Sequence, residues 1–317
     1  MDNLTHSLAG LALAHAGLRR RTAMATAALV IGANLPDVDG LIYFFGTGTD
    51  ALAFRRGWTH GILAMVVWPF VLSGALLLLA RFRRRPRADP PLDSRWLLAV
   101  SAIGVWSHPL LDWLNTYGVR LLMPFSGKWF YGDTLFIIDP WIWLVLVPVL
   151  WWSARLVRSG DSARAERAVR RAIAAMAVYI AAMKVTGMIG VSIVNGAVST
   201  GGRTMVAPEP VTPFSRSVIR ATGGDYELGS LAWTPAPVYQ PHEAVSGGRD
   251  LPGATSAAAT HPGSQFLGWS RFPRFESWPA GDDSLLVRIS DLRYSNGRSS
   301  SWAAVDILVP AHTEGMK

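Results

Sequence analysis

Four long apolar runs constrain this sequence more than any other feature. They cover residues 60–80, 96–117, 140–157 and 172–198. A helix needs about 20 apolar residues to cross the hydrocarbon core of a bilayer, so each run is long enough, or nearly so, to span it. Only 16% of the residues are charged, against roughly 25% in an ordinary globular protein. The chain is therefore predicted to be a polytopic membrane protein rather than a pair of soluble domains.

Two shorter apolar runs, 4–18 and 22–35, precede the long ones. At 1.5 Å per residue each would reach only about 22 Å as a helix, short of the roughly 30 Å hydrocarbon core. We expect them to form a helical hairpin buried against the longer helices. The pattern leaves open whether either run crosses the bilayer.

Arginines between the apolar runs predict the orientation in the membrane. They form three groups: Arg19, Arg20 and Arg21; Arg81, Arg83, Arg84, Arg85, Arg87 and Arg95; and Arg155, Arg158, Arg164, Arg167, Arg170 and Arg171. If all 15 are cytoplasmic, the long runs cross in alternating directions and only four other cations precede the tail on the outer side. The positive-inside rule favours this arrangement, which explains the net charge of +8 without a nucleic acid partner. The sequence predicts a multi-pass protein of the bacterial plasma (inner) membrane.

The composition changes after residue 198. Gly, Pro, Ser and Thr are frequent to about residue 265, and we expect a flexible loop at 241–264. Alternating polar and apolar residues predict β-structure in three stretches: 217–233, 284–294 and 301–310. The last two are expected to form a hairpin around Ser295-Asn296-Gly297. The predicted fold class is mainly α, with a helical membrane bundle at 1–198 and a small β-rich extracytoplasmic domain at 199–317.

Histidines and aspartates of the apolar part converge on one side of the predicted topology. All of them lie opposite the arginine groups: His6, Asp37, Asp39, His60, His108, Asp112, Asp133 and Asp139. Ionisable groups at membrane depth are costly and usually functional. Cysteine is absent, which excludes thiolate metal sites and cysteine nucleophiles. The sequence therefore predicts a metal site built from imidazole and carboxylate at the outer face.

The spacing of these residues suits a divalent cation. His108 and Asp112 are four residues apart and share one face of a helix. Asp37 and Asp39 point the same way if their segment is extended, and could bridge two ions. This ligand chemistry suits zinc, with manganese or iron as alternatives. Singly, each residue has a structural explanation, such as a helix N-cap for Asp37 or a core histidine for His6.

Short motifs in the sequence resemble those of a known membrane family. In chain order they are Thr5-His6-Ser7, Asn34-Leu-Pro-Asp37-Val-Asp39, Gly57-Trp-Thr-His60-Gly61, Ser107-His108-Pro-Leu-Leu-Asp112 and Gly132-Asp133-Thr-Leu-Phe-Ile-Ile-Asp139-Pro140. They resemble the YdjM-like family of membrane-bound, metal-dependent hydrolases, the LexA-regulated group. Residues 266–275 and 291–294 are similar to the C-terminal region of its longer members. The resemblance covers most of the chain.

That family is grouped with the zinc-dependent phospholipase C and single-strand nuclease superfamily, whose helical cores bind a zinc cluster. The resemblance implies metal binding by a set of residues: His6, Asp37 or Asp39, His60, His108 and Asp112. The superfamily's later histidine-rich helix is missing here, although Asp133 or Asp139 could substitute in part. One or two divalent metals are therefore expected rather than three.

Together these observations predict a metal-dependent hydrolase of the membrane, with a phosphoester of a lipid or envelope component as the favoured substrate. Asp133 is expected to be a further ligand or a general base, and Asp39 a bridging carboxylate. Arg55 and Arg56 directly precede the His60 motif, where they could hold a phosphate or simply contact lipid headgroups. The sequence names neither the substrate nor the oligomeric state.

Two other classes of function remain compatible with the sequence. A transporter or metal permease would also place ionisable groups in the membrane, although no repeat symmetry is visible. A structural membrane protein would use the metal only to stabilise its fold. An open coordination position would distinguish a catalytic metal from a structural one.

The arginine distribution predicts the side on which the chain ends. Residue 317 should lie outside the cytoplasm, because the side with 15 arginines is expected to face the cytoplasm. A reporter enzyme that works only outside the cytoplasm should therefore be active when it is fused there. Paired fusions of an alkaline phosphatase and a fluorescent protein measure this directly. A fluorescent, phosphatase-negative fusion would move the histidines and aspartates to the cytoplasmic side.

Overall fold

The computed structural model describes residues 1–82, 90–197, 201–295 and 302–311. Within these ranges the α-helices are α1 (Asn3–His15), α2 (Ala25–Gly32), α3 (Gly48–Phe54), α4 (Ile62–Phe82), α5 (Ser94–Trp113), α6 (Pro140–Arg158), α7 (Ser162–Gly196), α8 (Ala254–Ala259) and α9 (His261–Trp269). Two 3-10 helices cover Leu18–Arg20 and Leu35–Phe44. The strands are β1 (Arg203–Pro208), β2 (Ser215–Thr222), β3 (Asp225–Ala232), β4 (Val238–Val245), β5 (Pro273–Pro279), β6 (Ser284–Asp291) and β7 (Ala304–Pro310). Four arginines of the second group and the predicted hairpin turn at Asn296-Gly297 lie outside the described residues.

Three of the described helices, α4, α6 and α7, are long and apolar enough to cross a membrane. They correspond to three of the four predicted runs. The fourth run, 96–117, forms α5, which is less apolar because it carries polar side chains into the protein. A further candidate span is α2 together with the 3-10 helix Leu35–Phe44, bent by 46° at the break between them. The helical membrane bundle is confirmed, and α5 differs from the other three long helices in carrying His108 and Asp112 on its buried face.

One face of α5 is buried along its whole length. The buried positions recur every three or four residues: Leu97, Val100, Ser101, Gly104, Val105, His108, Pro109 and Asp112. Residues at this spacing share one side of a helix. The stripe that packs α5 into the bundle therefore also turns His108 and Asp112 inward.

Glycines let α1, α2 and α5 pack with their backbones close together. A Cβ atom at Gly10 of α1 would lie 2.7 Å from the carbonyl oxygen of Leu29, and one at Gly104 of α5 would lie 2.9 Å from the same oxygen. Close packing through small residues is how helices associate when lipid supplies no hydrophobic driving force. The two short N-terminal helices thus form the expected hairpin, with α2 against α5.

The chain divides into two compact units whose bounds differ from the predicted domains at 1–198 and 199–317. The second unit contains Gly40–Arg55 and Gly187–Glu209 in addition to the tail from Pro213. At 1.5 Å per residue the 35 residues of α7 span about 52 Å, more than a bilayer needs. Its last turns therefore enter the second unit, where Val194 packs with Val206 and Leu231.

Two antiparallel sheets build the second unit. One has the strand order β1-β2-β3-β4 and the other β5-β6-β7. β6 and β7 pair from Ser284 with Pro310 to Ser290 with Ala304, so the predicted pairing of these stretches is confirmed. The expectation of a flexible loop at 241–264 is wrong, because this stretch contains the end of β4, all of α8 and the start of α9. The Thr260 side chain accepts a hydrogen bond from the backbone N–H of Gly263, which caps α9 in a stretch whose composition suggested a loop.

The tail motif Asp291-Leu-Arg-Tyr has a structural role in the second unit. Asp291 is fully buried and accepts hydrogen bonds from the Ser270 hydroxyl (2.8 Å), the Arg271 backbone N–H (2.7 Å) and the Arg293 guanidinium (2.9 Å). Burial alone would raise the pKa of Asp291, but the charge and hydrogen bonds of Arg293 outweigh it and hold that pKa below its usual value. The motif therefore fixes the chain after α9 to the end of β6.

The contact between α2 and α5 yields a stability prediction. Gly104→Val should destabilise the protein by about 1–3 kcal/mol, because the added side chain meets the α2 backbone. Gly74→Val is the matched control, since a Cβ at Gly74 of α4 meets nothing within 4 Å. Thermal unfolding of the two variants in detergent compares them. Equal melting temperatures would contradict the close packing of α2 on α5.

Candidate metal centre

Four side chains from three segments of the chain converge on one point. Asp37 lies on the 3-10 helix, His60 in the turn before α4, and His108 and Asp112 on α5. One ligand atom from each lies within 4.8 Å of all the others. His60, His108 and Asp112 are fully buried, and Asp37 is 12% exposed at its side chain. The four residues form what we call the metal cluster.

The three buried members of the metal cluster make its tightest contacts. The Nε2 atoms of His60 and His108 are 3.1 Å apart, and each lies 3.4 Å from Asp112 Oδ2. Asp37 Oδ1 lies farther out, 3.9 Å from His60 Nε2 and 3.7 Å from His108 Nε2. All four atoms thus face one small volume.

Hydrogen bonds on the far side of each ring fix the tautomers. His108 Nδ1 lies 2.6 Å from the carbonyl oxygen of Ala33, which only accepts, so this nitrogen carries the proton. His60 Nδ1 donates to the Thr59 hydroxyl (2.9 Å), because that hydroxyl gives its own proton to Asp39 Oδ2 (2.9 Å). When the two rings are neutral, the Nε2 atom of each therefore presents a lone pair to the cluster.

This arrangement packs four potential metal-ligand atoms against one another. Two imidazole lone pairs and two carboxylate oxygens face one another, and Asp112 Oδ2 is buried without a hydrogen bond in the described structure. Packing such atoms together is unfavourable unless a cation lies between them. Imidazole nitrogen and carboxylate oxygen are ligands that zinc, manganese and iron accept. The residues present therefore fit a divalent metal ion.

His6 lies beside the metal cluster. Its ring stacks on that of His108, with centroids 3.9 Å apart, and its Nε2 atom is 3.4 Å from Asp112 Oδ1. Neither of its ring nitrogens makes a hydrogen bond to any described residue. His6 thus offers a further nitrogen atom on the Oδ1 side of Asp112, outside the group of four.

The segment with Asp37 and Asp39 is a 3-10 helix, not the extended strand that the sequence analysis assumed. At three residues per turn, positions two apart point in different directions. Asp37 therefore enters the metal cluster, whereas Asp39 turns to the outer side of His60. Asp39 Oδ2 accepts from the Arg56 backbone N–H (2.8 Å) and lies 3.3 Å from His60 Nδ1. Asp39 orients a ligand instead of bridging two ions.

Arg56 is part of the buried site. It is therefore not exposed to bind a phosphate or a lipid headgroup, the two roles considered for it from the sequence. Its guanidinium lies 3.1 Å from Asp112 Oδ1 and donates to the Asn115 side chain at 3.1 Å. It also stacks over the Tyr117 ring at 4.5 Å. The amino group of Met1 contacts the same carboxylate oxygen. These cations occupy Oδ1 of Asp112 and leave Oδ2 for the metal cluster.

The remaining candidate residues lie outside the metal cluster. Asp133 has a left-handed backbone (φ 49°), in a loop whose Thr134 N–H donates to the Leu114 carbonyl at 2.8 Å. Asp139 caps the N-terminus of α6 and accepts from the Tyr179 hydroxyl at 2.9 Å. The guanidinium of Arg55 lies over the Tyr43 ring at 5.5 Å, in the second unit. None of them belongs to the group of four residues whose ligand atoms converge.

Sequence reasoning missed the groups that support the ligands. Thr59 and the Ala33 carbonyl set the two tautomers, and Asn3 donates to Asp37 Oδ2 at 3.2 Å. Thr59 stands next to His60 and Asn3 next to the His6 motif, so an inspection of hydroxyl and amide neighbours could have suggested them. A backbone carbonyl leaves no signal in a sequence.

Comparisons with known proteins identify the family of the chain. A sequence model of the YdjM inner membrane protein family matches residues 1–193, the part that holds all four cluster residues. The chain is 31% identical over 152 residues to the inner membrane protein YbcI of Escherichia coli (strain K12), covering 40% of this chain and 82% of YbcI. It is 29% identical over 154 residues to the uncharacterized protein YfhP of Bacillus subtilis (strain 168), covering 45% of this chain and 43% of YfhP. The chain therefore spans less than half the length of YfhP. No solved structure matches the chain.

The cluster geometry predicts metal content. Protein purified in detergent should carry a divalent metal, and His108→Ala or Asp112→Asn should lose at least one ion per chain because each removes a direct ligand. His15→Ala is the matched control, since His15 bonds to the Ser153 hydroxyl at 2.9 Å outside the cluster. Elemental analysis measures the content. Full occupancy in a His108→Ala, Asp112→Asn double variant would contradict the assignment.

Asp39 yields a separate prediction because its contact with His60 is at Nδ1, the ring nitrogen that faces away from the metal cluster. Asp39→Asn should weaken metal affinity by roughly 10–100-fold without abolishing it, as is usual for partners that orient a ligating histidine. Competition with a chromogenic chelator measures the affinity. Asp93→Asn, a change at the N-cap of α5, should leave it unchanged. Complete loss of metal in Asp39→Asn would instead indicate that Asp39 is a direct ligand.

Proposed function

Since the chain belongs to the YdjM inner membrane protein family, we propose that it is a membrane-bound, metal-dependent hydrolase. It acts on a phosphoester of a lipid or envelope component. The observation that carries this proposal is the metal cluster, in which the ring nitrogens of two buried histidines and the oxygens of two carboxylates converge on one small volume. The resemblance to phospholipase C-like enzymes supports the same reaction class.

The unequal spacing of the four ligands supports a catalytic role over a structural one. His60, His108 and Asp112 form a tight buried set, whereas Asp37 stands farther out and is partly exposed. Catalytic zinc sites use three protein ligands and leave one position for water, and structural sites are closed by four. We assign the tight set as the permanent ligands and place the water position on the side of Asp37.

The residues around the cluster have distinct roles in this proposal. A bound divalent metal lowers the pKa of water toward neutrality and polarises the scissile ester. Asp37 is the carboxylate placed to take the proton from that water. Asp39 and Thr59 hold His60 in the tautomer that binds metal, and Arg56 holds Asp112 through its other oxygen. His6, whose Nε2 atom lies 3.4 Å from Asp112 Oδ1, is a further nitrogen donor beside the cluster.

The substrate class and the side of the membrane belong to the same proposal. Because Arg56 is engaged by Asp112, the preference for a phosphoester rests on the family resemblance. Zinc is the favoured metal. The distribution of arginines favours a location of the metal centre and the β-rich unit outside the cytoplasm. Membrane lipids are then both the surroundings of the enzyme and its nearest source of phosphoesters.

A metal permease is a second candidate function, favoured by one observation. The break between α2 and the 3-10 helix Leu35–Phe44 lies next to the metal cluster, and transporters bind ions at broken helices. Such folds carry broken helices in pairs, and this is the one bent pair found in the described residues. Metal uptake into proteoliposomes distinguishes the two functions, since a hydrolase moves no metal.

Hydrolysis of a soluble phosphodiester tests the proposal. The purified holoprotein should cleave bis(p-nitrophenyl) phosphate, and a chelator should abolish the activity. Asp37→Asn should lower kcat by roughly 10²–10⁴-fold, the usual contribution of a general base, while His60, His108 and Asp112 still bind metal.

His15→Ala controls for general effects of substitution in the same bundle and should retain the parent rate. A panel extended to short-chain phospholipids and other esters then identifies the substrate class. Activity that survives both chelation and the Asp112→Asn substitution would show that a contaminant is responsible and would contradict the proposal.

A further inference from the structure

Four of the five apolar residues at positions 41–45, just after Asp37 and Asp39, are exposed. Leu41 is 53% exposed, Tyr43 55%, Phe44 79% and Phe45 86%. Residues 41–44 are the end of the 3-10 helix that carries Asp37 and Asp39, and Phe45 follows it. This helix is outside the three long spans. Apolar patches of this kind mark surfaces that contact a partner or a membrane. We call Leu41–Phe45 the aromatic segment.

The aromatic segment lies at the end of a path long enough to reach across the hydrocarbon. The eight residues of α2 span about 12 Å, and the ten of the 3-10 helix about 20 Å. Together they pass the same length and apolarity test as the long spans, with a 46° bend between them. Their summed length matches the roughly 30 Å hydrocarbon core.

The bend itself is compatible with membrane depth because its polar groups are satisfied within the protein. The Ala33 carbonyl accepts from His108 Nδ1 (2.6 Å), and the Asn34 amide donates to the Val30 carbonyl (2.9 Å) and the Ser7 hydroxyl (3.1 Å). Irregular backbone is tolerated at membrane depth only where protein covers it. The broken helix meets this condition.

The residues that follow mark the boundary with water. Gly46-Thr-Gly-Thr-Asp50 is polar, and Thr47 and Asp50 form a reciprocal capping box that starts α3. The Arg55 guanidinium lies over the Tyr43 ring at 5.5 Å. Aromatic rings together with a cation are typical of the headgroup level of a membrane protein.

We propose that the aromatic segment is immersed in the lipid bilayer, with its acyl chains as the partner of Phe44 and Phe45. The metal-binding residue Asp37 then lies eight residues deeper along the same chain than Phe45. The segment anchors the metal-binding 3-10 helix against lipid. This inference concerns lipid contact alone and stands or falls separately from the hydrolytic activity.

Because the chain contains no cysteine, single-cysteine variants carry one nitroxide each. Phe45→Cys and Phe44→Cys are labelled in the full-length protein, reconstituted in vesicles of phosphatidylcholine and phosphatidylglycerol. Val178→Cys, 69% exposed on α7, is the lipid control, and Asp282→Cys, exposed in the loop before β6, is the water control. Power-saturation electron paramagnetic resonance measures collisions with oxygen, which enters lipid, and with a polar nickel chelate, which does not.

Labels at Phe44 and Phe45 should match Val178, with a ratio of oxygen to nickel collisions several-fold above that of Asp282. A ratio equal to that of Asp282 would place the segment in water and overturn the proposal. A label shielded from both reagents would show that protein covers the segment, which overturns it equally. Both labelled sites are exposed, so the substitutions remove no core contact, and metal content confirms that each variant is folded.

Discussion

The hydrogen bond from His108 Nδ1 to the Ala33 carbonyl is the interaction on which the site depends. It satisfies the backbone group freed where α2 ends, and it fixes the proton of His108 away from the metal cluster. His108 Nε2 then faces His60 Nε2 and Asp112 Oδ2. This one contact links helix packing, the tautomer of His108 and metal binding, because the carbonyl group freed at the end of α2 is the group that orients the His108 ring.

Close packing makes that hydrogen bond possible. Gly10 and Gly104 let α1 and α5 approach the backbone of α2, which brings the end of α2 within reach of His108. The buried stripe of α5 then places Asp112 one turn farther on, and Arg56 holds its second oxygen. A carboxylate held by a cation on one oxygen presents the other to the metal cluster in a fixed direction. The bundle therefore determines the geometry of the site before any ion binds.

Much of this could be predicted from the sequence, and the errors have physical causes. Spacing identified the shared face of His108 and Asp112, because the helical period is strict. The role of Asp39 was mistaken because Pro36 and Asp37 continue into a 3-10 helix, and alternation of side chains holds only for extended backbone. Arg56 was taken for a phosphate ligand because its pairing with Asp112 joins residues 56 positions apart. The stretch 241–264 was read as a loop from composition, although Thr260 caps a helix within it. Tertiary partners decided each of these cases.

X-ray absorption at the edge of the bound metal tests the central claim most directly, because it reports the ligands themselves. The account predicts that nitrogen and oxygen atoms surround the metal at about 2.0–2.2 Å. It also predicts outer-shell scattering from two imidazole rings in the parent protein and from one imidazole ring in His60→Ala. A shell of oxygen atoms alone, or a spectrum unchanged by His60→Ala, would contradict it. Either result would mean that the facing lone pairs of His60 and His108 do not hold the metal.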